Sequence, residues 1–256
     1  MDNTDESYRL MCNHARTGNF LKFRNLLEHQ TSFTNNEVLY ALLNISLTTN
    51  INARCNWIKY FSTSNPKLFD REILAHIASF ATTPELVDLF EYLICTFPSK
   101  CTQKIIYTAL ISANYHTVNV IRKHFPQMTV LPNIITEVVQ NKLIFVLYYI
   151  GQQNLCNCCP DNAFIYAGSI GVSYLKVLHK FWPRSLLNNR LKQTIMDKAL
   201  ISQNINVIIY LHKDFNVDIS NELLIYLANK SNIDDIISIY EEFNIKPIDS
   251  HLLKIA

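Results

Sequence analysis

Glycine is nearly missing. Gly18, Gly151, Gly168 and Gly171 are the only four in a chain of 256 residues. This excludes the phosphate-cradling loops of the GxGxxG and GxxxxGK(S/T) types, whose backbones must approach a ligand with no side chain in the way. It also removes the two-residue Asn-Gly turns on which tight β-hairpins depend, which argues against an all-β fold. Charge is scarce as well: Asp, Glu, Lys and Arg make up 17% of the residues, against roughly 25% in ordinary soluble chains. Asn, Ser, Thr and Gln must therefore cover much of the surface. A formal net charge of +2 gives a field too weak to draw nucleic acid in. Apolar runs such as "LIFVLYYI" (143–150) fall well short of the roughly 20 residues that span a bilayer. The opening "MDNTDES" has neither the basic nor the apolar region of a secretory signal. With that opening, seven cysteines, an odd number, are expected to be free thiols in a cytoplasmic protein.

What the chain does have is apolar material, 49% of its residues, and a repeat. "ALISANYHTVNVIRKHF" from Ala109 aligns with "ALISQNINVIIYLHKDF" from Ala199. "ARTGNFLKFRNLLEH" from Ala15 and "AGSIGVSYLKVLHKF" from Ala167 share the frame, as does "LANKSNIDDIISIYEEF" from Leu227. "VVQNKLIFVLYYI" from Val138 fits more loosely, and the segments from Tyr40 and Ile77 fit with insertions. The anchors recur about every 30 residues, a spacing that belongs to stacked repeats. Each unit reads as a first helix with a small Ala for close approach, a short polar turn and a second helix. The turns are "TGN" at 17–19, "SAN" at 112–114, "SQN" at 202–204 and "KSN" at 230–232. The second helix has apolar residues at helical spacing, such as Val207, Tyr210 and Leu211. Pro66, Pro98, Pro126, Pro132, Pro160, Pro183 and Pro247 fall in or beside the connections between units. One such hairpin cannot bury both faces, whereas a stack can. The expected fold is all-α: a solenoid of about eight stacked hairpins in a single array over residues 1–256. Residues 1–6 are expected to form a polar tail, and 249–256 a terminal half-repeat.

These units resemble the ankyrin repeat, with its Ala-bearing first helix, polar turn and "VVKYLL"-like second helix. "QNINVIIYLHKDFNVDI" (203–219) carries the resemblance best. The Thr-Pro-Leu-His opening and the finger glycines of that family are missing, so the β-fingers are expected to be reduced to loops. Degenerate arrays rich in Ile, Asn, Tyr and Cys are similar to the repeat proteins of large DNA viruses, among them the multigene-family proteins of African swine fever virus. That resemblance implies a partner that is a host protein, often in innate immune signalling.

"QNLCNCCPDN" (153–162) places three thiols within four positions. Cys156, Cys158 and Cys159 are candidate metal ligands, but a structural zinc site takes four ligands, commonly in two separated pairs, and the second pair is missing. Cys158 and Cys159 also precede a predicted helix N-terminus, whose dipole lowers a thiol pKa. Against both readings stands a plain loop between repeats with partly buried thiols. "HKFWPRSLLNNRLK" (179–192) mixes bases with aromatics in the manner of a single-strand clamp. The same residues serve equally to close one hairpin beneath the next. The carboxylate pairs Asp234–Asp235 and Glu241–Glu242 suit the polar outer face of a capping unit.

The reading that follows is a non-catalytic protein–protein interaction scaffold, with no cofactor and no membrane partner. Candidate contacts are Tyr115 and His116 in one turn, Trp182 and Arg184 in one loop, and Trp57. The alternatives are a nucleic-acid-binding helical repeat and a cysteine-dependent enzyme. An apolar face left open at the last hairpin would permit self-association.

Overall fold

The computed structural model describes residues 3–17, 19–29, 51–64, 66–183 and 188–218. Residues 40–50 of the segment from Tyr40, the segment from Leu227, the two carboxylate pairs, Arg184, Pro247 and residues 249–256 lie outside the described residues. Among the described residues every regular element is helical. The chain divides into two compact units, Met1–Val130 and Leu131–Ala256.

The first unit contains α1 (Asn3–Arg16), α2 (Phe20–His29), α3 (Ile51–Ser64), α4 (Arg71–Phe80), α5 (Pro84–Thr96), α6 (Gln103–Ile111) and α7 (Tyr115–His124). Helix α1 starts at Asn3, inside the stretch read from sequence as a tail. An acidic sequence is favoured at that end of a helix by the helix dipole. Helices adjacent in sequence pack as α1 on α2, α4 on α5 and α6 on α7. Helices two apart also pack: α4 on α6 in one row, and α3 on α5 on α7 in a second.

The second unit repeats the scheme with α8 (Pro132–Gln140), α9 (Ile144–Gln152), α10 (Asp161–Ile170), α11 (Val172–Phe181), α12 (Asn189–Ile201) and α13 (Ile205–Phe215). Its pairs are α8 with α9, α10 with α11 and α12 with α13. First helices α8, α10 and α12 form one row, and second helices α9, α11 and α13 the other. The small residues are where close approach requires them: Ala78, Ala109, Ala167 and Ala199 are all fully buried.

Three of the turns inside the hairpins share one backbone design. In "SAN" the amide of Asn114 donates to the carbonyl of Ala109 (2.8 Å) and that of Ala113 to Leu110 (2.9 Å). Asn204 donates likewise to Ala199 (2.8 Å) and Gln203 to Leu200 (3.0 Å), while Leu143 donates to Val138 (3.0 Å) and Lys142 to Val139 (2.9 Å). This paired 6→1 and 5→2 bonding is the Schellman closure, which sets one residue in the left-handed region. Here that residue is Ala113 (φ 54°), Lys142 (φ 59°) or Gln203 (φ 55°), never the usual glycine. These three turns thus form without glycine and carry the strain, about 1–2 kcal/mol per turn.

Two of the glycines lie inside helices. A β-carbon on Gly151 of α9 would lie 2.3 Å from the ring of Phe181 on α11, and one on Gly168 of α10 would lie 2.8 Å from Ile195 Cγ2 on α12. Both let neighbouring helices approach within their own row. Prolines start helices as their fixed φ suggests: Pro84 opens α5 and Pro132 opens α8. Pro160 caps α10, whose first residue is Asp161.

Candidate functional site

Of the residues singled out from sequence, the structure turns Trp182 inward. It is 7% exposed, and its indole N–H donates to the carbonyl of Cys156 at 2.9 Å. Its role is therefore to tie the end of α11 to the loop that follows α9, and it is not a surface contact. Trp57 is half-buried and packs edge-on against Tyr60 (centroids 5.9 Å) and tilted against Phe61 (5.6 Å). His116 is exposed, on the first turn of α7. Tyr115 beside it is half-buried, and burial raises its phenol pKa.

The thiol cluster behaves as an inter-repeat loop. Cys156 and Cys159 are buried and Cys158 is exposed. The Cys156 thiol donates to the carbonyl of Cys158 at 2.9 Å, and the Cys159 thiol to that of Pro160 at 3.7 Å. Burial pushes both thiols above their ordinary pKa. The lowering expected from the helix dipole at Cys159 is outweighed by desolvation, which disfavours the thiolate. Among the described residues no group of three or more His, Cys, Asp or Glu side chains is placed to hold a metal ion.

Asn114 proves to be an organising residue. It is 3% exposed. Its amide donates to the carbonyls of Ala78 (2.8 Å) and Ala81 (2.9 Å) in the preceding hairpin, and its oxygen accepts from the Thr117 amide (3.4 Å). Those carbonyls belong to the end of α4, where the helix leaves acceptors without internal partners. In the second unit Asn204 lies beside Gly171, at the turn of the preceding hairpin. The Tyr174 hydroxyl reaches back to the carbonyl of Lys142 at 2.7 Å. Polar side chains of one repeat thus satisfy the backbone ends of the repeat before it.

The row of second helices carries a ladder of cations and aromatics. In the first unit Lys59 on α3 sits 5.3 Å over the ring of Tyr92 on α5. Lys123 and His124 on α7 meet Glu91 on α5 at 2.7 and 2.5 Å. In the second unit Lys180 on α11 sits 5.0 Å over Tyr148 on α9 and bonds its hydroxyl at 3.3 Å. Lys176 on α11 lies 5.7 Å over Tyr210 on α13, whose hydroxyl is 3.1 Å from His179 Nδ1. Burial pushes the Tyr210 phenol up to about 12. Most of these pairs join positions about one repeat apart; the hydrogen-bonded pair Tyr148–Lys180 is separated by 32 residues. That periodicity is visible in the sequence once the repeats are aligned, and it is the signal that a search for unusual motifs passes over.

Two features of the ladder exceed what packing needs. Phe145 on α9 is 82% exposed, and Tyr148, one turn further on, is 39% exposed. Lys180 stacks on Tyr148 and also on Phe181 (5.2 Å), so an exposed aromatic pair stands beside a positioned cation. A separate open groove of about 540 Å³, lined by Asn133, Thr136, Glu137, Gln140, Asn141 and Asn162, is rich in amides and holds one carboxylate. No helix of the described residues is long and apolar enough to cross a membrane. Comparison with protein-family models, curated proteins and solved structures finds no match to this chain.

Proposed function

We propose that this chain is a non-catalytic protein-interaction scaffold, a solenoid of ankyrin-like helical hairpins. The observation that carries the reading is the aromatic pair Phe145 and Tyr148 left in solvent on α9, held beside Lys180. A large apolar ring at the surface costs solubility, and Tyr beside a cation is the chemistry of interface anchors. The repeated hairpins supply what a scaffold needs, a stiff row of helices that holds side chains at a fixed spacing. His116 and the half-buried Tyr115 are secondary contact candidates in the first unit. The resemblance to viral repeat proteins makes a host protein, and innate immune signalling in particular, the first place to look for the partner.

The test is capture from host-cell lysate by the full chain, at low and high salt, with and without nuclease, beside the variant Phe145→Ser/Tyr148→Ser. The expected result is a protein retained at high salt, insensitive to nuclease and lost from the variant. Recovery of nucleic acid that disappears with salt, as counterion release requires, would replace this reading with the nucleic-acid one.

A further inference from the structure

The same rung of the helical ladder is built differently in the two units, and the difference leaves charge uncancelled in the second. Lys123 on α7 reaches Glu91 on α5 at 2.7 Å, across 32 positions. That acid neutralises the cation. Lys180 on α11 reaches Tyr148 on α9 across the same 32 positions, and its charge stands 5.0 Å over the ring. An aromatic face attracts a cation without neutralising it. Lys176, one turn earlier on the same face of α11, lies in the same way over Tyr210. Both lysines are exposed. Neither meets a carboxylate among the described residues. From Lys142 to Phe181 the only acid is Asp161, which opens α10 in the other row. On α13 the one acid, Asp214, directly follows Lys213. Helices α9 and α11 lie in register. The Tyr174 hydroxyl bonds the Lys142 carbonyl at one end, and Phe181 meets Gly151 at the other. Lys180 is thus level with Tyr148, and Lys176 with the first turn of α9, where Phe145 stands in solvent.

We propose that this face binds an acidic peptide segment of a partner protein, in which an apolar side chain is flanked by carboxylates. The inference rests on the scaffold reading of the same residues and names the chemistry of the partner. The apolar side chain covers Phe145, 82% exposed in the free chain, and takes its ring out of water. The carboxylates meet Lys176 and Lys180. An ammonium has three donors; Lys180 spends one on the Tyr148 hydroxyl and keeps the others for an acceptor. Stacking on the tyrosines already holds both lysine chains in place, so less side-chain freedom is lost when the partner binds. Single-stranded nucleic acid fits less well, because it needs successive open rings on which bases stack. Here Tyr148 has Lys180 over its ring and Phe181 packed edge-on against it at 5.3 Å, which leaves Phe145 as a lone platform.

The experiment selects peptides from a random display library on the immobilised full chain, then measures a selected peptide against surface variants by fluorescence anisotropy. The expected result is enrichment of peptides with Asp and Glu around an apolar residue. Lys176→Gln/Lys180→Gln should weaken such a peptide about tenfold at low salt, and less at high salt, where exposed charges are screened. Lys176→Arg/Lys180→Arg keeps both charges and should retain the binding. Phe145→Ser should weaken it further, since a ring buried at an interface outweighs charges at its rim. Failure to enrich any peptide, or enrichment of neutral or basic ones, would overturn the acidic partner and leave the scaffold reading to its own capture test. Acidic peptides that depend on Phe145 but not on the two lysines would do the same. Peptides indifferent to Phe145→Ser/Tyr148→Ser as well would remove this face from both readings. An oligothymidine bound more tightly than the peptide through these residues, or self-association of the chain through them, would also overturn the proposal.

Discussion

At the scale of single residues, the turns show how a chain with four glycines builds repeated helical hairpins. Ala113, Lys142 and Gln203 each hold a left-handed conformation that glycine adopts without steric cost. Gln203 is exposed, so its side chain contributes little packing. Gln203→Gly should therefore raise stability by about 1 kcal/mol, read as a higher midpoint in urea; an unchanged or lower midpoint would mean that the turn is not strained. Asn114 is the opposite case. Asn114→Ala leaves the carbonyls of Ala78 and Ala81 without their donor in a buried place. The expected cost is about 2–3 kcal/mol, measured in the same way. The sequence made the Asn of this turn conspicuous, since it recurs in "SAN" and "SQN". Its periodicity marks it as a turn residue, but only the fold shows that its amide serves the preceding hairpin.

At the scale of elements, rows of like helices set the requirements. Phe181 fills the notch that Gly151 leaves on α9. The atoms in the way are the ring base and β-carbon, which cannot swing aside. Gly151→Ala should cost about 1–3 kcal/mol, more than the helix propensity of Ala returns; a gain in stability would mean that the rows are less closely packed than described. Between α5 and α7 the hydrogen bond from His124, then that from Lys123, hold the Glu91 carboxyl below its ordinary pKa of 4.5. A carboxyl with a depressed folded-state pKa contributes stability that is present above its unfolded value and lost as pH falls through the folded one. Glu91→Gln should thus be less stable than the parent at neutral pH, by under about 1 kcal/mol for so exposed a group. The difference should vanish well below the carboxylate range. A difference that persists in acid would place the cause elsewhere than in the charge.

Helices were the most legible level, because apolar spacing and proline position are local properties of the sequence. The row contacts were legible only as a repeat length. Trp182 shows why site residues were harder to read. An indole next to bases has the composition of a contact, and its N–H bond to Cys156 depends on a loop 26 residues earlier. The contact between Glu91 and His124 was hidden for the same reason: its partners lie about one repeat apart. The "CNCC" run drew attention by density, yet burial makes Cys156 and Cys159 poor nucleophiles.

At the scale of the molecule, two compact units each display a two-row helical stack. The second unit presents its exposed aromatics on the second-helix row, through α9. A binding scaffold should use that row and spare the opposite one. The most direct measurement is site-specific photocross-linking in host-cell lysate. A photoreactive residue would replace Phe145 on the second-helix row or Lys198 on the exposed surface of α12. The account predicts a discrete protein adduct from position 145, competed away by unlabelled chain, and none from position 198. Equal adducts from both positions, no adduct from 145, or an adduct to nucleic acid would contradict it.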